Sequence, residues 1–273
     1  MCFNKEMTLG FTLISVICGC WIASGMHMWA NLESWRRVRI AACFFYFAIM
    51  EGLQFVQYLV LDQCQNKLNI FMTALGWFHI CWQPLFSNIA MSAVDSNNVG
   101  VNNKKREFTW RFVFKLCFVC GILMAARMVI PMVLNGYTND DYLVMCNQDI
   151  EGVCPNTTEL DLAKQGLRNP TCAYQGNFHV GWTFNMLKPS YPFPNVATHL
   201  INMFILPFLM GCRFQAIVLF FSGPGISMWF PARDGERAAI WCFLSISETA
   251  ITLFSQLYIL KGGLPFFRKK RSE

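Results

Sequence analysis

Three titratable residues lie inside long apolar stretches of this chain: Glu51, His79 and Glu248. Counting along the helix that each stretch predicts places all three near the mid-depth of a bilayer. A charge at that depth costs several kcal/mol and usually faces a cavity or a partner. Carboxyl and imidazole groups there could bind a proton, a cation or a small polar solute. The pattern predicts a mid-membrane polar cluster formed by these three residues.

Two further polar residues share a helix face with the first member of the cluster. Gln54 and Tyr58 follow Glu51 by three and seven residues, so one face of the second apolar stretch is polar. An amide on this face could coordinate whatever the carboxyl binds. We therefore include Gln54 among the candidate binding residues.

The stretch around His79 contains a tryptophan, a glutamine and a proline. Trp82 and Gln83 follow the histidine by three and four residues and share its face. Pro84 has no N–H for the carbonyl of Ile80, which predicts a helix kink and a free acceptor. In lipid a free carbonyl needs a polar partner, so this face is expected to point into the bundle.

Two polar side chains and one flexible motif complete the candidate site. His199 lies near one end of the fifth predicted span, and Arg127 in the fourth could neutralise a glutamate. Gly223–Pro224–Gly225 is typical of a broken helix. The sequence names neither a catalytic residue nor a cofactor. Should a metal bind, its ligands are expected among His79, Glu51, Glu248 and His199.

Composition identifies the environment of these residues. Hydrophobic residues make up 55% of the 273 residues and charged residues 14%, and apolar runs reach about twenty residues, the length of a membrane span. The net charge of +6 comes from short basic clusters beside apolar runs, which favours membrane flanks over nucleic-acid binding. The lipid bilayer is the expected partner. Five spans are predicted at about 8–30, 40–61, 68–94, 112–134 and 238–260.

The number of spans depends on residues 196–230, a stretch that contains Arg213. A turn at Gly211–Gln215 gives seven transmembrane helices, whereas one long tilted helix gives six. Only the seven-helix alternative places most Lys and Arg residues on one side, as the retention of basic residues in the cytoplasm requires. The prediction is an all-α, polytopic membrane helix bundle of seven spans forming a single domain, 1–273, with its N-terminus outside and its C-terminus cytoplasmic.

In this orientation residues 135–195 form an external loop or cap. The loop contains a glycosylation sequon at Asn156. Four external cysteines could form two disulfides in any of three connectivities, which favours a plasma membrane or endomembrane of a eukaryotic secretory pathway. These cysteines are Cys64, Cys146, Cys154 and Cys172.

Cys81, Trp82 and Pro84 resemble the Cys-Trp-x-Pro switch of rhodopsin-like receptors, which would imply a seven-helix receptor. The chain departs from that family because the motif lies in the third span instead of the sixth. The Asp-Arg-Tyr and Asn-Pro-x-x-Tyr motifs of that family do not occur at the corresponding helix ends.

Three classes of function follow, in order of preference. The first is a transporter or channel that binds a proton, cation or small polar solute at the mid-membrane polar cluster. The second is an intramembrane enzyme that acts on a lipid or depends on a metal. The third is a seven-helix sensor or receptor, or a subunit of a membrane complex, and oligomerisation is left open.

Overall fold

The computed structural model describes residues 4–26, 29–30, 32–64, 66–95, 104–133, 142–144, 171–187, 194–230, 236–242 and 244. Most of these residues are helical. The first four helices are α1 Lys5–Ser24, α2 Ser34–Tyr58, α3 Lys67–Val94 and α4 Lys104–Val133. They are followed by α5 Val196–Leu209, by α6 Arg213–Phe220 with a π-helical turn at Phe221–Gly225, and by α7 at 236–242.

Local capping sets the bounds of α1. The Asn4 side chain accepts a hydrogen bond from the backbone N–H of Met7, and Gly25 ends the helix with a φ of 70°. A left-handed glycine is the common way to terminate a helix because it has no Cβ to clash. The first helix is therefore shorter than the predicted 8–30 span, whose end was placed too late.

The helices α2 to α4 test the other predicted bounds. The third prediction, 68–94, agrees closely with α3, whereas α2 begins six residues before the predicted residue 40 and α4 begins eight before 112. These early turns contain the basic clusters that were read as flanks. Charged side chains can be helical at the ends of a span because they extend towards water.

Three described helices are long and apolar enough to cross a membrane: Lys5–Ser24, Ser34–Tyr58 and Lys104–Ile130. The helix α3 has 28 residues, enough for about 42 Å at the usual rise, but it is not among the three. Its buried polar side chains lower its hydropathy. The chain is thus a helical protein with membrane-spanning features, and the complete seven-span bundle stays a prediction.

The chain turns sharply at Gly211, within the ambiguous stretch. Gly211 has a φ of 87°, and the N–H of Cys212 bonds to the carbonyl of Pro207 at 2.9 Å. The helices on the two sides of this turn, α5 and α6, pack against each other, with the centroids of the Phe204 and Phe220 rings 5.3 Å apart. This turn is the one that the seven-helix alternative requires, and it excludes one continuous helix over 196–230.

The all-α prediction missed two small antiparallel sheets in the segment after α4. In the first, β1 Tyr142–Val144 pairs with β4 Asn185–Leu187. In the second, β2 Cys172–Gln175 pairs with β3 Val180–Thr183. We call residues 172–183 the hairpin. The predicted cap is therefore, in its described part, built from strands.

The helices meet different partners at their two ends. At one, the hairpin end, the hairpin lies against the last turns of α2 and the first turns of α3. At the other, the arginine end, Arg39 and Glu107 form an ion pair at 2.9 Å, as do Arg106 and Asp95 at 2.7 Å. Separate hydrophobic clusters support the two ends, one around Trp110 and Phe44 and one around Trp77, Trp182 and Phe184.

Candidate functional site

The hairpin inserts its side chains between the helix ends. His179 and Trp182 are fully buried, and the indole N–H of Trp182 donates to Oε1 of Gln57 at 2.9 Å. Phe184, just after the hairpin, packs on Trp77 with ring centroids 5.2 Å apart. The hairpin therefore fills the end of the bundle, which a cap lying above the helices would not do.

His179 connects two residues of the polar face of α2. Its Nδ1 lies 2.7 Å from the Tyr58 hydroxyl and its Nε2 lies 2.8 Å from Oε1 of Gln54. An amide oxygen only accepts, so Nε2 carries the proton, Nδ1 accepts and the Tyr58 hydroxyl donates to it. The hydrogen positions follow from this assignment of the amide atoms. The imidazole is thus a neutral link with a donor on one side and an acceptor on the other.

Burial favours the same neutral form. Removal from water lowers the pKa of His179 from 6.5 to about 3, because the charged imidazolium loses its hydration. At neutral pH the ring therefore has one N–H and one lone pair. This is the state that both of its hydrogen bonds require.

Glu236, the first residue of α7, holds the tip of the hairpin. One carboxylate oxygen accepts the backbone N–H of Phe178 and, at 2.9 Å, the N–H of His179. Gly176 packs so closely beside this carboxylate that a Cβ atom would overlap it and the carbonyl of His179. The charge-assisted bonds and the missing side chain together determine where the imidazole lies.

Glu51 lies one helical turn before Gln54 and is fully buried. Neither of its carboxyl oxygens has a hydrogen-bond partner among the described residues, and the same holds for Nε2 of Gln54. A buried carboxylate without a partner is costly, so this environment favours either the protonated acid or a bound cation. We call Glu51, Gln54, His179 and Tyr58 the polar column.

His79 of α3 packs against a tyrosine of α2. Its ring stacks on Tyr46, with centroids 3.8 Å apart and planes inclined by 18°, and the Tyr46 hydroxyl donates to the His79 carbonyl. Tyr46 precedes Glu51 by five residues in α2. The described residues show no hydrogen bond between His79 and Glu51, and they contain no group of three or more His, Cys, Asp or Glu side chains placed to hold a metal.

The remaining residues of α3 are all inside one continuous helix. Pro84 lies within α3, and its own carbonyl accepts from Asn88 at 2.8 Å. The hydrogen-bond donor that reaches this part of α3 from another helix is the Tyr46 hydroxyl. It donates to the carbonyl of His79 and not to that of Ile80. Gln83 is buried, and Trp82 lies against Gly121 of α4, which has no room for a Cβ.

Arg127 bonds to backbone carbonyls, and His199 packs against a tryptophan. The Arg127 guanidinium donates to the Leu187 carbonyl at 2.8 Å and to the Pro194 carbonyl at 3.3 Å. It therefore joins α4 to β4 and to the entry of α5, and it pairs with no glutamate among the described residues. His199 is buried with its ring edge-on to Trp241, 5.6 Å between centroids.

A disulfide joins the hairpin to the loop between α2 and α3. Cys64 and Cys172 are bonded, which confirms the prediction of a disulfide among the four candidate cysteines and selects one pairing for these two. Asn69 strengthens the junction, since its side chain bonds the N–H of Ala173 at 2.8 Å and its carbonyl at 2.9 Å. Outside the described residues lie Cys146, Cys154, Asn156 and Glu248.

Sequence reasoning missed His179 and Glu236. A signal for the hairpin was present, because the short runs Cys172–Gln175 and Val180–Thr183 are separated by only four residues, which begin with Gly-Asn and are typical of a hairpin loop. No sequence signal placed the hairpin between the helices. The approach of Glu236 is likewise a product of the fold alone.

The fold and the site define a class: a helical protein with membrane-spanning features, whose bundle is filled at one end by a disulfide-tied hairpin. Residues 14–261 match a family described as a family of unknown function (DUF5765), so the chain belongs to that family. No curated protein and no solved structure matches the chain.

Proposed function

We propose that the protein is a membrane transporter or channel that binds a proton, a cation or a small polar solute at Glu51. One observation carries the proposal: a fully buried carboxyl with no partner among the described residues lies at the end of the polar column. An ionisable group inside a membrane helix is retained at a considerable cost in stability. Binding and release of a positive charge is a function that accounts for that cost.

The polar column supports a route from the hairpin end to Glu51. It begins at Tyr58, which is partly exposed, and continues through buried His179 and Gln54. Buried polar groups elsewhere in the hairpin bond to backbone or to one another, which is the ordinary structural arrangement. The column differs because it leads to an acidic group.

Irregular helices supply the second line of support. The helix α5 contains a π-helical turn at Ile201–Ile205, and α6 continues into another at Phe221–Gly225, which includes Pro224. Such turns are frequent at functional sites, and they weaken the regular hydrogen bonding of a helix. Both segments offer places where helices could bend during a transport cycle.

Purified protein in liposomes tests the proposal. Flux of protons, Na⁺ and K⁺ is measured with trapped indicators after an imposed gradient. We expect Glu51→Gln to reduce the transported flux at least tenfold while the protein still purifies as a folded species. Glu33→Gln is the matched control, since it makes the same chemical change on an exposed side chain and should leave flux unchanged.

Two results would count against this function. Equal flux through the wild type and Glu51→Gln would show that Glu51 binds nothing in transit. A variant with an unfolded or aggregated profile would be replaced by Glu51→Asp, which keeps the acid but shortens it. In a folded Glu51→Asp variant, flux and ion preference identical to those of the wild type would show that the position of the carboxyl does not matter for transport, which would count against binding at Glu51.

A further inference from the structure

An open cleft lies beside the polar column at the hairpin end. Its volume is about 410 Å³, and Tyr58 is the residue of its lining that belongs to the column. The rest of the lining comes from the start of α1, the end of α2 and the hairpin: Asn4, Lys5, Glu6, Leu59, Leu61, Gln63 and Gln175. Water in this cleft can therefore reach the Tyr58 side chain.

Beyond Tyr58 the polar column is closed to solutes and to hydrated ions. The hydroxyl, the imidazole and the Gln54 amide are in direct hydrogen-bond contact, at 2.7 and 2.8 Å. His179 is fully buried, and Glu236 holds its backbone. A solute or a hydrated metal ion would have to displace the hairpin, whereas a proton can be exchanged along the hydrogen bonds from Tyr58 to Gln54 and needs only a side-chain movement to reach Glu51, one helical turn away.

We propose that the species carried by the polar column is the proton, and that it enters from the cleft through the Tyr58 hydroxyl. This inference rests on the proposed function and names its cargo and its entrance. Tyr58 sits at the only point where the column meets the described cleft. Glu51 is the acceptor, one turn beyond Gln54 on the same face of α2.

The transfer balances without charging the imidazole. The Tyr58 hydroxyl gives its proton to Nδ1 of His179 and takes another from a hydronium ion in the cleft, which becomes water. In the same step Nε2 releases its proton past the Gln54 side chain, which turns aside, to the Glu51 carboxylate. The carboxylate becomes the acid and the imidazole changes from the Nε2–H to the Nδ1–H form. The next transfer follows once proton exchange with water has returned the ring to its Nε2–H form.

Proteoliposomes with a trapped pH indicator test the inference. An acid pulse is applied with valinomycin and K⁺ present to dissipate charge. We expect proton uptake by the wild type, a loss of at least tenfold in Tyr58→Phe, which removes one hydroxyl and keeps the ring, and a similar loss in His179→Gln. Tyr174→Phe is the matched control, because its hydroxyl lies in the same hairpin but outside the column, and it should retain wild-type uptake.

The outcomes separate the cargo from the wider function. Na⁺ or K⁺ flux without proton uptake in the wild type would overturn the proton inference and leave a cation transporter. Undiminished proton uptake in a folded Tyr58→Phe variant would show that the proton does not enter through the Tyr58 hydroxyl. Failure of the wild type to carry any of the three ions would remove the proposed function itself. Should His179→Gln fail to fold, Tyr58→Phe alone decides.

Discussion

The two ends of the helix bundle are held together by different chemistry. The hairpin end uses a disulfide, amides and a neutral imidazole, nearly all buried, together with the Glu236 carboxylate that accepts backbone N–H groups at the hairpin tip. The arginine end uses guanidinium and carboxylate groups, in which Arg39 and Glu107 remain 23% and 29% exposed. A neutral hydrogen-bond network tolerates burial, while ion pairs keep more of their solvation when water remains near.

This difference bears on the proposed function. Between Tyr58 and Gln54 the hairpin end presents hydrogen bonds among neutral groups, whereas the Glu236 carboxylate is engaged by backbone N–H groups at the hairpin tip. Partly exposed ion pairs can open and close at low cost. We therefore expect the hairpin end to hold its geometry and the arginine end to be the easier one to open.

The largest expected effect is loss of the disulfide. The bond joins residues separated by 108 positions, and a crosslink of that span stabilises a fold by about 4 kcal/mol. Replacing Cys64 and Cys172 by Ser should lower the melting temperature in detergent sharply and expose the hairpin to protease. Cys20→Ser, which changes a free exposed cysteine, is the control. Equal melting temperatures for the Cys64 and Cys172 double variant and for Cys20→Ser would show that the hairpin end is held by packing alone.

Next comes the buried carboxylate of the arginine end. Asp95 is 2% exposed and receives bonds from Arg106 at 2.7 Å and Trp110 at 3.0 Å. Removal of one partner of a buried charge costs about 3 kcal/mol, so Arg106→Ala should be strongly destabilising. Arg39→Ala breaks a pair that is more exposed and should cost about 1 kcal/mol or less. Chemical denaturation of both variants would reveal the contrast, and a reversed order would contradict this account of burial.

A smaller effect is expected at the hairpin tip. Gly176→Ala would overlap Glu236 and the His179 carbonyl, and such overpacking costs about 2 kcal/mol. Gly10→Ala is a matched control, since nothing lies within 4 Å of the added atom and alanine favours a helix. Thermal melts should show destabilisation in the first variant only. An unchanged melt in both would mean that the tip can shift away from Glu236.

The last prediction is a pH dependence from His179, whose size grows as the pH is lowered below 6.5. Its pKa is about 3 in the fold and 6.5 otherwise, so the unfolded chain binds more protons between these values. The stabilisation is complete above pH 6.5 and is lost as the pH falls towards 3, at up to about 1.4 kcal/mol per pH unit. Melting between pH 7.5 and 4.5 should therefore decline more steeply in the wild type than in His179→Gln. Parallel curves would contradict a buried neutral imidazole.

The helices were the most predictable part of the fold. The bounds of α3 follow directly from its apolar run, and the turn at Gly211 follows from a stretch too long for one span and too polar at its centre. The predicted spans for α2 and α4 begin too late in the sequence, because hydropathy identifies the lipid-contacting part of a helix and not its ends. Strands inside a long polar segment have no comparably strong signal.

The candidate site was predicted in part. The shared face of Glu51, Gln54 and Tyr58 depends only on helical periodicity, which spacing reveals. That His79 belongs with Tyr46 depends on the rotation of α2 against α3, which periodicity leaves open. The role of Glu248 stays a prediction.

By itself the sequence determined the membrane class, the polar face of α2 and a set of four cysteines that contains the disulfide pair. These properties arise from composition and from spacing within one element. Only the tertiary structure decided that Cys64 pairs with Cys172 and that His179 completes the column between Tyr58 and Gln54. Such contacts join residues more than a hundred positions apart, and their geometry is set by packing of the whole chain.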